Sequence, residues 1–377
     1  MKKCIIAPDS FKGSMSAIEI CDIAQQTIAK FYPDCEVKSI PVADGGEGTV
    51  DCFLRALGGE KVEIEVNNLF MEPIKTYYAK IGDTAIIEMA SAAGLPMAEG
   101  RANPAITTTY GVGEQIRHAV ENGAKEILLG LGGSGTNDGG CGCAAAMGVV
   151  FKDENGKEFV PTGNTMSRIA TIDTSAAMNL LEGCKLTAMC DIDNPMHGPK
   201  GAAYIFGPQK GADEKMVAEL DEQLVYLDNK IQEELGVTMT SFPGAGAAGA
   251  FGAGAVAFLG ATLKPGIQAV LDTVGFDELI DGADLVFTGE GKLDSQSLRG
   301  KVVIGIAQRA KSKNVPVIAV VGDVSDDGYE AYDMGVSAIF SINRLAIPFS
   351  QAKVRSKKDF QATFEDIFRL IKVVKNK

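Results

Sequence analysis

Tryptophan is absent from the 377 residues, and histidine occurs only twice, as His118 and His197. The eight cysteines include no CxxC pair, so a cysteine/histidine zinc site is not expected; reduced, mostly buried thiols in a cytoplasmic protein are. Positive charge is scarce. Thirty-six Lys and Arg face 49 Asp and Glu, for a net charge of −13, which excludes an extended nucleic-acid footprint but leaves room for a local basic pocket. Long apolar runs are also missing. The start, MKKCIIAPDS, has an apolar run of only four residues, CIIA, before Pro8, too short for the apolar region of a signal peptide. Residues 236–263 carry no charge, yet 14 of the 20 residues in 244–263 are Gly or Ala, which bury too little apolar surface for a lipid span. Neither a GxSxG elbow, nor a Walker A loop, nor a protein-kinase signature set occurs.

What is present is ordinary globular composition, 46% hydrophobic and 23% charged, with a high glycine count of 44. The length predicts two domains. Short β-branched runs alternate with amphipathic stretches, the pattern of α/β architecture. Residues 3–7 and 36–41 are expected strands, with a helix between them capped by Ser16. Residues 283–288, 315–321 and 338–342 repeat the rhythm near the other end, before a final helix starting near Ser356 with Phe360, Phe364, Ile367, Ile371 and Val374 on one face. Both chain ends therefore predict one Rossmann-like, doubly wound parallel sheet, residues 1–70 plus 281–377. An inserted α/β domain with a mixed sheet, residues 71–280, is expected between them, with the active-site cleft between the two domains. In the middle of the chain, residues 62–66, 74–81 and 84–89 predict antiparallel strands, and the Asn155-Gly156 pair a hairpin turn. Residues 214–235 predict the clearest helix, capped by Asp213 and stopped by Gly236. Its stripe of Val217, Leu220, Leu224, Leu227 and Ile231 is core packing.

Three kinds of turn carry candidate chemistry. The first runs from Gly130 to Gly140 and precedes a small-residue helix over 141–147. Gly133, Ser134, Thr136, Asn137 and Asp138 suit it to phosphate oxygens, where a plain turn needs fewer such residues. The same loop matches GxGxxG, with Asp153 near the spacing of a ribose-binding acid, which keeps a nucleotide-dependent oxidoreductase of small hydroxy acids in view. Against it stand the brevity of the following helix and a second GxGxxG match from Gly244 to Gly249. The second kind is acidic: Asp9, Asp44, Glu47, Asp191, Asp193, Glu290 and Asp294 all follow apolar runs. Each alone is a turn or capping residue; their recurrence at strand ends points to metal binding or proton transfer. Asp191 and Asp193, one residue apart, point the same way if the segment is extended. The third kind is cationic: Lys12, Lys200, Lys210, Lys292, Arg299 and Lys301 lie in Gly- or Ser-rich turns, where they could hold a substrate carboxylate and the transferring phosphate, although an exposed lysine is ordinarily just solvated. His197 is a further candidate to line the cleft.

These stretches occur together, and together the sequence resembles the type 1 glycerate kinase family. The matching segments are residues 7–13, 43–49, 108–113, 133–140, 190–195, 206–211, 243–249 and 288–294, in family order. Gly135 stands where the family commonly has Ala, and Lys292 where it has Arg. The resemblance implies phosphorylation of D-glycerate dependent on ATP and Mg²⁺, giving 2-phosphoglycerate, with 3-phosphoglycerate as the alternative product. The residue-level reading agrees on class, since phosphoryl transfer needs a cradle, carboxylates and a few cations. Asp191 is then the candidate base, with Lys12 and Asp44 as further catalytic candidates. Asp9, Ser10, Asp193, Asn194 and Arg299 are the expected substrate contacts. Gly133, Ser134, Thr136, Asn137, Asp138, Gly289, Glu290 and Gly291 are expected at the nucleotide, and Glu290 and Asp294 at the metal. No membrane or nucleic-acid partner is expected; a homodimer is one expected assembly, and a ligand-binding protein without turnover stays in view as a third class.

Overall fold

The computed structural model describes residues 1–43, 45–240 and 242–375; Asp44 lies outside the described residues. The chain divides into two compact units, one of Met1–Asp44, Asp51–Gly58 and Gly266–Lys377, the other of Gly45–Val50 and Gly59–Pro265.

The first unit holds a five-stranded, all-parallel sheet in the order Ala338–Ser341, Val317–Val321, Leu285–Gly289, Lys3–Pro8, Glu36–Ser39. The inner strands Leu285–Gly289 and Val317–Val321 are buried at every residue, as a parallel sheet covered on both faces requires. One face contributes Cys4, Ile6, Phe287, Ile318 and Val320 to a core completed by Ile20, Ala24 and Ile28 of the helix Ala17–Phe31 and by Phe360, Phe364 and Phe368 of the helix Phe349–Lys375. Helix Val302–Ser312 packs on Lys3–Pro8, Leu285–Gly289 and Val317–Val321 and supplies the buried Val303, Ile304 and Ile306. Ser16 caps the first helix in a reciprocal box: its hydroxyl accepts the Glu19 N–H, and Glu19 accepts the Ser16 N–H.

The last helix starts at Phe349, seven residues before the expected Ser356. Its first turns are solvated, with Phe349 68% and Val354 82% exposed, so no apolar period announces them. Val374, expected on the buried stripe, is exposed, and Phe368 fills the core instead.

The second unit holds a six-stranded mixed sheet in the order Thr262–Lys264, Lys185–Met189, Glu126–Gly130, Thr84–Glu88, Pro73–Ile81, Glu60–Asn67. The first four strands run parallel, and the last two are antiparallel additions. Residues 60–67 fall in this unit because they pair along their whole length with Pro73–Ile81, from Glu60 opposite Lys80 to Asn67 opposite Pro73. The helix Glu214–Leu235 has the expected cap, Asp213 accepting the Met216 N–H, and the expected stop, Gly236 at φ 70°.

The turn at Asn155-Gly156 forms, with the Asp153 N–H donating to the Lys157 carbonyl, but no hairpin ladder follows it. Only Lys152 and Glu158 bridge, and Val150–Lys152 pairs instead with Thr171–Asp173. Pro161, lacking an N–H, cannot extend the returning arm. Among the described residues no helix is long and apolar enough to cross a membrane.

Candidate active site

In the second unit the neighbouring parallel strands Glu126–Gly130 and Lys185–Met189 end side by side, Gly130 opposite Met189. The Gly-rich loop and the 190–195 segment therefore leave the same carboxyl edge, where open α/β sheets bind ligands. The 45–50 turn joins them: the Gly132 N–H donates to the Gly45 carbonyl, and the Val50 N–H to Glu88 Oε1 at 2.6 Å. Glycine is required at position 130, because a Cβ there would stand 2.2 Å from the Gly45 oxygen.

The loop's side chains are more enclosed than its composition suggests. Asp138, expected to contact nucleotide, is fully buried and turned on the protein's own donors. Its Oδ2 accepts from the Thr109 N–H and hydroxyl, the Thr108 hydroxyl and the Gly142 N–H, and its Oδ1 from the Gly140 N–H. Burial raises its carboxyl, with those hydrogen bonds opposing. The N–H groups of Gly140 and Gly142, at the start of the seven-residue helix Cys141–Met147, are thereby occupied. Thr136 and Asn137 are buried too, and Thr136 Oγ1 and both Asn137 amide atoms have no hydrogen-bond partner. Buried polar atoms are nearly always paired, so such orphans suit a group supplied from outside the chain.

Lys210, expected in a solvated turn, is 2% exposed. Its Nζ donates to Ser134 Oγ at 2.7 Å and to the Thr136 carbonyl at 2.6 Å. Burial draws the amine down to about 7, with the Asp138 charge opposing. Asp191 and Asp193 lie in the irregular segment after Lys185–Met189, and both are exposed. Asn194 anchors that segment, its Nδ2 donating to the Lys200 carbonyl and its own carbonyl accepting the Gly246 N–H. His197 Nε2 lies 3.1 Å from Oδ2 of the buried Asp228, which also accepts from the Met239 N–H and the Thr240 hydroxyl. This pairing joins residues far apart in sequence, and nothing in the local pattern announces it.

In the first unit the carboxyl ends of Lys3–Pro8 and Leu285–Gly289 also adjoin, Pro8 opposite Gly289. The Asp9 N–H donates to the Gly289 carbonyl, and the Ser10 N–H to Asp9 Oδ1. Glu290 is 7% exposed, with Oε1 lacking any partner. Burial pushes its carboxyl up to about 7; the Ser297 hydroxyl and Lys301 pull it down, and the charges of Asp9 and Asp294 push it further up. Asp294 Oδ1 accepts the Gln296 N–H, while Lys12 and Arg299 are exposed. Gly291 lies against the backbone of Phe11 and Lys12.

Among the described residues no three metal-ligating side chains converge. Mg²⁺ bound with a nucleotide needs only one or two protein carboxylates, the rest being water and phosphate oxygens. Glu290, with its orphaned oxygen, fits that demand.

A family model described as the glycerate kinase family matches residues 4–372. The chain is 43% identical to "Glycerate kinase" of Bacillus subtilis (strain 168) over 376 residues, 99% of this chain and 98% of that one. It is 43% identical to "Glycerate 2-kinase" of Escherichia coli (strain K12), over 90% of both chains. A crystal structure of a putative glycerate kinase 2 from Salmonella typhimurium LT2 superposes with a TM-score of 0.89 at 37% identity, covering 100% of both chains.

Proposed function

The chain belongs to the glycerate kinase family and is a phosphotransferase, and from that premise we propose that it transfers the γ-phosphoryl group of ATP to D-glycerate, giving 2-phospho-D-glycerate and ADP. The observation that carries the regiochemistry is the similarity to the E. coli glycerate 2-kinase across nine-tenths of both chains.

Phosphoryl transfer asks for positioning and charge neutralisation more than for covalent chemistry. Asp191, exposed on its loop, takes the proton of the C2 hydroxyl as that oxygen bonds to the γ-phosphorus and the bond to the ADP oxygen breaks. Asp193 and Asn194 shape that loop. Lys12 and Arg299 hold the glycerate carboxylate or the migrating phosphoryl group. Asp9 and Ser10 contact the substrate, and Asp44 is the further catalytic carboxylate, for a metal or hydroxyl contact. Gly133, Ser134, Thr136 and Asn137 bind anionic oxygens, as do the turn residues Gly289 and Gly291, while Asp138 shapes the loop from beneath. Glu290 and Asp294 would hold Mg²⁺, which supplies neutralisation of phosphate charge. The reaction belongs in the cytoplasm, where ATP is available.

The test is ADP release from purified protein with D-glycerate, ATP and Mg²⁺, followed by phosphorus NMR of the product. Phosphorus coupled to a single proton is expected, as in the 2-phosphate. Coupling to two protons would identify the 3-phosphate, and absence of ADP release would remove the kinase reading.

A further inference from the structure

Among the described residues Lys210 is the one buried lysine or arginine. A buried ammonium is costly unless it is paired, and buried cations usually meet a carboxylate. This one does not. Its two acceptors are a hydroxyl and a peptide carbonyl, and the nearby carboxylate of Asp138 is hydrogen-bonded to Thr108, Thr109, Gly140 and Gly142. The acceptors belong to Ser134 and Thr136, so the cation grips the Gly-rich loop rather than neutralising a neighbour.

The loop is gripped from another direction by a strained turn. Ala248, Gly249 and Ala250 interrupt the helix Ala247–Leu259 with φ of 56°, 70° and 65°, a left-handed path that alanine disfavours. There the Gly249 carbonyl accepts the Gly139 N–H, and a Cβ on Gly249 would lie 2.1 Å from the Thr136 oxygen that Lys210 also holds. Between these two restraints lie the orphaned Thr136 hydroxyl and Asn137 amide. A strained neighbouring turn, a buried charge and unpaired polar atoms thus bear on the one segment Ser134–Asn137, the pattern of a segment shaped for a ligand at the expense of local stability.

We propose that Lys210 is a positioning residue: acting through Ser134 and Thr136, it fixes the Ser134–Asn137 segment for the anionic oxygens of one of the two substrates, the phosphates of ATP or the carboxylate of D-glycerate. The inference rests on the kinase reading for the identity of these anions. Lys210 itself touches neither substrate. Its removal loosens the segment's grip on one anion and leaves the chemical step to other groups.

The experiment compares wild type, Lys210→Met and Ser134→Ala by steady-state kinetics in each substrate separately and by calorimetric titration with ATP and with D-glycerate. Thermal unfolding confirms that each variant is folded. Lys210→Met is expected to raise KM for one substrate at least tenfold while changing the other KM and kcat less than threefold; the substrate affected identifies the anion. Ser134→Ala, which removes an anion contact together with one acceptor of Lys210, is expected to move the same KM in the same direction, and Lys210→Gln serves as the test if Lys210→Met does not fold. KM values unchanged within twofold, both rising equally, or a fall confined to kcat would overturn the proposal. If wild type shows no turnover, the kinase reading fails by itself. Titrations with ATP and with D-glycerate then decide: weaker binding of one of them to the variant supports positioning of the segment for that anion, and equal binding of both overturns it.

Discussion

The carboxylate of Asp138 accepts both the backbone N–H and the hydroxyl of Thr109, at 2.8 and 2.9 Å. One acid on the Gly-rich loop thereby fixes the start of the helix Tyr110–Glu121, and Thr109 passes the connection on by accepting the Cys143 N–H. Replacing Asp138 by Asn puts an NH₂ group against N–H donors and leaves buried donors unpaired. Asp138→Asn should cost about 2–4 kcal/mol of stability. Urea unfolding should show a lower midpoint with an unchanged slope.

Ala248 stands at φ 56° in the strained turn and is only partly buried. Glycine adopts that conformation without the Cβ clash, although the more flexible unfolded chain takes back part of the gain. Ala248→Gly should therefore stabilise the protein by about 0.5–1 kcal/mol, against the usual effect of glycine within a helix. A melting temperature below wild type would contradict the strain assigned here.

Lys210 gives a pH dependence whose sign is fixed by its shift. Its amine lies near 7 in the folded protein against an ordinary 10.5. Between those values the unfolded chain holds the extra proton, so the site's contribution to stability rises with pH. Below about 7 both states are protonated, and the folded state carries the full burden of burying the charge. The unfolding free energy of wild type relative to Lys210→Met should shift in favour of wild type by about 2–3 kcal/mol from roughly pH 6 to pH 9. Urea titrations at the two pH values measure it, and a shift of opposite sign would count against a depressed amine.

Asp191 is exposed and adds little to packing. Asp191→Asn should lower kcat about 10³-fold, as loss of a general base does, with thermal unfolding unchanged. Near-normal turnover would remove Asp191 from that role.

Where local pattern and tertiary environment agreed, the sequence was legible. The helix Glu214–Leu235 has cap, stripe and stop in its own residues, and inner parallel strands such as Leu285–Gly289 and Val317–Val321 are short apolar runs closed by polar turns. The start of the last helix was not legible, because Phe349 and Val354 are apolar yet solvated and leave no buried period to follow. The Gly-rich loop was found by composition, but the sequence does not reveal that Asp138 turns inward. The burial of Lys210 is hidden for a related reason: its Gly-Pro-Gln-Lys-Gly setting looks like an exposed turn, and only packing under the loop buries it. The pairing of His197 with Asp228 spans 31 positions and leaves no local trace.

In the first sheet, Lys3–Pro8 lies between Glu36–Ser39, made almost at once, and Leu285–Gly289, made late. A polypeptide emerging from the ribosome must therefore expose one flank of its opening strand throughout synthesis of the entire second unit. That flank carries unpaired peptide groups along an apolar strand, a template for wrong partners until the late strand arrives. Truncation just short of Leu285 should accordingly yield insoluble chains, while the later units of synthesis act as the protein's own delayed cover.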